Sequence, residues 1–109
     1  MTTITISSLD KCLSLEIKGH ADYAEYGKDI VCSAASILAY TLADFLLKAT
    51  KKGKISEPNI EMKDGYISIQ YKAESETDYA FVKDKFDIVE CGYSMLQKTY
   101  PKHITIKKM

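Results

Sequence analysis

The sequence predicts a single α+β domain over residues 1–109, built in the order β-β-α-β-β-α-β, with a mostly antiparallel sheet covered on one face by two helices. Three observations carry that prediction. Short β-branched runs with strict apolar–polar alternation recur near the start, the middle and the end of the chain, two longer stretches between them have helical periodicity, and turn-forming residues separate the segments. A chain of 109 residues that is 46% apolar can bury one core and is too short for a second.

Thr2-Thr3-Ile4-Thr5-Ile6-Ser7 and Cys12-Leu13-Ser14-Leu15-Glu16-Ile17 both alternate, and the Leu9-Asp10-Lys11 turn between them makes them antiparallel neighbours. Gly19 to Asp29 holds two glycines, several charges and two tyrosines with neither period, so it reads as a loop. From Ile30 to about Ala49 the chain is rich in Ala, Leu and Ile. Asp29 stands before it as an N-cap, and Lys48, Lys51, Lys52 and Gly53 mark its C-terminal end. The small side chains Cys32, Ser36, Ala39 and Ala43 form a stripe that would admit a second backbone, either the other helix or another copy of the chain.

After Pro58, Asn59-Ile60-Glu61-Met62-Lys63 and Tyr66-Ile67-Ser68-Ile69-Gln70-Tyr71 flank Asp64-Gly65, a strong hairpin signal. Between about Ser75 and Thr99, Tyr79, Val82, Phe86, Val89, Tyr93 and Leu96 recur at steps of three and four, the stripe of an amphipathic helix that Pro101 terminates. His103-Ile104-Thr105-Ile106 is the last strand.

The 15 basic and 15 acidic residues cancel, so the mean field gives no reason for direct nucleic-acid binding. No N-terminal stretch has the layout of a secretory signal. No run approaches the ~20 apolar residues of a bilayer span, so a cytoplasmic chain with no membrane partner is expected. Three widely spaced cysteines without a Cys-x-x-Cys pair argue against a disulfide framework or a metal cluster. Cys12, in a strand, and Cys91, in the second helix, read as inert packing residues.

Cys32 stands apart because it falls in the first turn of a helix, where the positive end of the dipole favours a thiolate. The early backbone amides there, lacking intrahelical partners, could face a developing oxyanion. His20 ends the second strand, and the eleven residues between them let its imidazole fold back over the helix start. Spacing permits this pairing without requiring it. A helix-start cysteine beside Ala34 and Ala35 is as readily a small buried side chain, and a loop histidine as readily solvated.

The run Gly19-His20-Ala21, a glycine-containing loop, then Asp29-Ile30-Val31-Cys32 and Ser36 one turn later resembles the signature of the ribosomal-processing cysteine protease family, Prp. The resemblance implies a bacterial cytoplasmic homodimer that removes an N-terminal extension from a large-subunit ribosomal protein during ribosome assembly. It implies His20 as general base and Cys32 as nucleophile, with Gly19, Asp29 and Ser36 around them and no cofactor or metal. Ser33 departs from the alanine common in the family and would face the site. Gly27 would hinge the loop, and Tyr23 and Tyr26 could line the groove. Asp29 suits a helix cap better than an orienting partner for His20. The competing reading is a non-catalytic, ribosome-associated peptide-binding dimer on the same fold; retention of both His20 and Cys32 favours the enzyme.

Overall fold

The computed structural model describes residues 1–20 and 29–109. Strands β1 (Thr2–Leu9), β2 (Cys12–Lys18), β3 (Asn59–Lys63), β4 (Tyr66–Lys72) and β5 (Ile104–Lys108) and helices α1 (Ile30–Lys51) and α2 (Glu76–Thr99) follow the predicted order. The sheet runs β3-β4-β2-β1-β5; β1 and β5 are parallel and the other neighbours antiparallel.

Strand alternation decides which face the helices cover. Ile4 and Ile6 of β1, Leu13, Leu15 and Ile17 of β2, and Ile67, Ile69 and Tyr71 of β4 are buried, whereas Thr3, Thr5, Ser14 and Glu16 lie on the opposite, wetter face. Val31, Ala35, Leu42 and Leu46 of α1 and Val82, Phe86, Val89 and Tyr93 of α2 complete the same core. Full burial of a Leu or Ile contributes about 1.5–3 kcal/mol each, so this layer dominates the stability of the fold.

The two hairpins turn differently. Asp10 and Lys11 both have positive φ (50° and 64°), as a two-residue turn matched to strand twist requires, and the Lys11 carbonyl is held by the Ala73 amide at 2.9 Å. In the β3–β4 turn the left-handed position is Gly65, at φ +72°.

Helix α1 starts where the sequence indicated and ends two residues later than Ala49, the Lys52 amide donating to the Lys48 carbonyl at 3.1 Å and the Gly53 amide to the Thr50 carbonyl at 3.0 Å. Contrary to the sequence reading, α1 is by length and composition alone long and apolar enough to cross a bilayer. In this fold its Val31–Ala35–Ala39–Leu42–Leu46 face is built into the core. Ser75 caps α2 by accepting from the Asp78 amide at 3.1 Å.

The helices meet closely. A methyl on Gly92 would come within 2.7 Å of Leu38 Cδ2, and the buried Tyr93 hydroxyl donates to the Ala35 carbonyl at 2.9 Å. The stripe expected to receive another backbone is largely consumed internally: Ala39 and Ala43 are buried in the chain's own core. Cys12 and Cys91 do not pack as expected. Both are exposed.

Candidate active site

The last pair of the β2–β4 ladder is Lys18 with Tyr66, and one step further the Gly19 amide donates to the Gly65 carbonyl at 2.9 Å. Gly19 has φ +90°, and a Cβ there would lie 2.6 Å from the Met1 carbonyl oxygen, so both backbone conformation and space demand glycine. His20 follows directly. Its carbonyl accepts from the Met1 amino group at 2.8 Å, and its imidazole lies against the Cα of Gly65.

Cys32 arrives from the other side of the cleft, on the first turn of α1. Asp29, 7% exposed, caps this helix: its Oδ1 accepts from the Val31 amide at 3.0 Å and the Cys32 amide at 2.9 Å, and its carbonyl accepts from the Ser33 amide at 3.1 Å. The expectation of free first-turn amides ready for an oxyanion is thereby corrected at Val31, Cys32 and Ser33, because Asp29 takes all three. The cap fixes the backbone that carries the thiol, which is half-buried beside the core.

These elements enclose a cleft of about 960 Å³ between the N-terminal half of α1 and the tip of the β3–β4 hairpin. Gly19, His20, Asp29, Cys32, Ser33 and Ser36 all line it, so the predicted site residues that the structure describes are brought together. Gly27, Tyr23 and Tyr26 lie outside the described residues. Among the described residues no cluster of His, Cys, Asp and Glu is arranged to hold a metal ion.

Sequence reasoning missed the opposite wall. Met62, Lys63, Asp64, Gly65 and Tyr66 face the cleft from the hairpin, and Ile37 and Tyr40 extend it along α1. The Tyr66 ring is held in place, its hydroxyl donating to Glu16 Oε2 at 3.2 Å and its face flanked by the Lys18 and Lys63 ammonium groups at 5.9 and 6.0 Å from the centroid. The Glu61 carboxylate, 2.7 Å from Lys63, holds that ammonium above the ordinary lysine range. A further unforeseen feature is Thr2. It lines the cleft at 1% exposure, and its hydroxyl has no hydrogen-bond partner among the described residues. The only signal for the hairpin wall was Asp64-Gly65, which by itself specifies a turn.

The family model described as cysteine protease Prp matches residues 1–105. The chain belongs to the Prp cysteine protease family. Two Staphylococcus aureus relatives, each named ribosomal processing cysteine protease Prp, are 35% identical over 49 residues, 45% of this chain and 46% of theirs. The match thus spans about half the length of these curated relatives. Among solved structures, Staphylococcus aureus Prp with a covalently linked product peptide superposes with a TM-score of 0.79 at 24% identity, covering 100% of both chains. The SMU.848 protein of Streptococcus mutans gives 0.73 at 28% identity, covering 100% of this chain and 94% of the other. The β-β-α-β-β-α-β fold is therefore the Prp fold.

Proposed function

We propose that this chain is a cysteine endopeptidase that removes an N-terminal extension from a large-subunit ribosomal protein during ribosome assembly, with Cys32 as nucleophile and His20 as its base. The observation that carries the proposal is the convergence of His20, from the end of β2, and Cys32, from the start of α1, on one cleft. His20 takes the thiol proton and the Cys32 thiolate attacks the scissile carbonyl. The imidazolium then protonates the leaving amine, and water hydrolyses the thioester. No cofactor enters these steps.

The cleft suits an extended peptide. From Cys32 to Tyr40 it follows α1 for about 12 Å, eight residues at the helical rise, which accommodates about three or four extended residues. Its walls offer Ile37, Tyr40, Met62 and Tyr66 to bulky apolar side chains near the cut. Ser33, exposed on the cleft wall, is the position through which substrate preference would depart from relatives that carry alanine. Support for a peptide substrate comes also from the Staphylococcus aureus Prp structures, one with a covalently linked product peptide and one with a substrate peptide.

The proposal includes a cytoplasmic location and a homodimer. Exposed apolar side chains on the helices, among them Leu47, Ile88 and Met95, support association, and sedimentation as a monomer at micromolar concentration would contradict it.

The test is cleavage of a peptide spanning the extension junction of the ribosomal protein by the native chain, Cys32→Ala and His20→Ala. Cleavage lost in both folded variants supports the proposal. Tight binding without cleavage by the native chain would favour the non-catalytic peptide-binding reading, and undiminished cleavage by the variants would mean that other residues do the chemistry.

A further inference from the structure

We infer that Gly65, in the β3–β4 turn, is a positioning residue for His20: its missing side chain leaves the space in which the imidazole sits. The inference rests on the proposed role of His20 and adds to it a residue 45 positions away in the sequence whose function would otherwise be turn formation alone.

Two contacts carry it. The Gly65 carbonyl accepts the Gly19 amide at 2.9 Å, which fixes the backbone immediately before His20. A Cβ built on Gly65 would lie 3.1 Å from His20 Nε2 and 3.6 and 3.7 Å from Cε1 and Cδ2. The imidazole thus presents its Nε2 corner to the bare Cα of the turn. Any side chain at position 65 moves the ring by a few tenths of an ångström or more, and a base displaced on that scale loses alignment with a thiol it must deprotonate.

The left-handed backbone at Gly65 (φ +72°) would by itself favour glycine, so conformational strain must be separated from the contact. Gly53 provides the control. It has nearly the same φ, +75°, yet a Cβ there would meet nothing within 4 Å. Asparagine tolerates this backbone region best among non-glycine residues, so Gly65→Asn and Gly53→Asn carry similar strain and differ in the imidazole contact.

The experiment measures the pH dependence of Cys32 alkylation by iodoacetamide, in a background with the exposed Cys12 and Cys91 changed to serine. Alkylation needs no knowledge of the substrate and reports the fraction of thiolate that His20 sustains. Native protein, His20→Ala, Gly65→Asn, Gly65→Ala and Gly53→Asn are compared, with thermal unfolding of each. The expected result is that His20→Ala slows alkylation at pH 7, that both Gly65 variants slow it about tenfold toward the His20→Ala rate while alkaline rates stay native, and that Gly53→Asn behaves as native. Gly65→Ala carries the same contact with a single methyl, so it decides the matter should Gly65→Asn not fold. Native neutral-pH rates in the folded Gly65 variants, or an equal slowing in Gly53→Asn, would overturn the inference and leave the dyad standing. A native profile in His20→Ala would overturn the dyad and this inference with it.

Discussion

Oδ1 of Asp29 accepts the Cys32 amide hydrogen across 2.9 Å, so the residue proposed as nucleophile is anchored by the cap of its own helix. The same oxygen holds Val31, which is completely buried, and the cap thereby ties the thiol to the core. Asp29→Ala is expected to lower stability by about 1 kcal/mol, within a range of ~0.5–2, and Asp29→Asn to retain most of it, since asparagine caps nearly as well. Chemical denaturation measures both. If capping is the whole role, Asp29→Asn also retains most of the peptidase activity; a large activity loss at native stability would show that the carboxylate charge acts on His20.

Tyr93 joins the two helices through its buried hydroxyl, which donates to the Ala35 carbonyl. Tyr93→Phe is expected to cost about 1 kcal/mol, measured by urea unfolding. Burial also pushes the Tyr93 phenol well above its ordinary value of 10.0. Because the folded pKa is raised, the contribution is complete below the unfolded value and is lost as pH rises above it, where the unfolded chain ionises first. Stability should therefore decline above pH ~10 in the native protein, and less steeply in Tyr93→Phe; Tyr71, raised chiefly by burial, sustains a residual decline.

Gly19→Ala places a methyl 2.6 Å from the Met1 carbonyl in a left-handed backbone, directly before His20. A loss of about 1–3 kcal/mol is expected in thermal or chemical unfolding. A variant of native stability would show that the N-terminal segment yields at no cost.

The Thr2 hydroxyl is buried without a partner among the described residues, at a cost that a valine of the same shape avoids. Thr2→Val is expected to raise stability by about 1 kcal/mol. Destabilisation would indicate that the hydroxyl holds a bound water in the cleft.

The parts of this site that were legible in the sequence are local in the chain. Gly19-His20 and Asp29 through Cys32 are separated by one loop, and helix capping and strand alternation need only near neighbours. The hairpin wall was not legible because it reaches the site through the β2–β4 ladder, where Lys18 meets Tyr66, and nothing in the residues Met62 to Tyr66 announces that register. Cys12 and Cys91 are exposed because the local period outweighs cysteine's general preference for burial: the alternation that buries Leu13, Leu15 and Ile17 turns Cys12 outward, and Cys91 stands about 200° around α2 from the buried Val89. The committed first-turn amides of α1 were hidden because a cap and an oxyanion site draw on the same donors.

Covalent catalysis by Cys32, as proposed, is tested most directly by mass spectrometry of the chain quenched in acid during turnover of the ribosomal-protein junction peptide. The result expected is an acyl thioester confined to the proteolytic fragment containing Cys32 and absent from Cys32→Ala. Product accumulating with Cys32 unmodified, or an adduct on another residue, would contradict it.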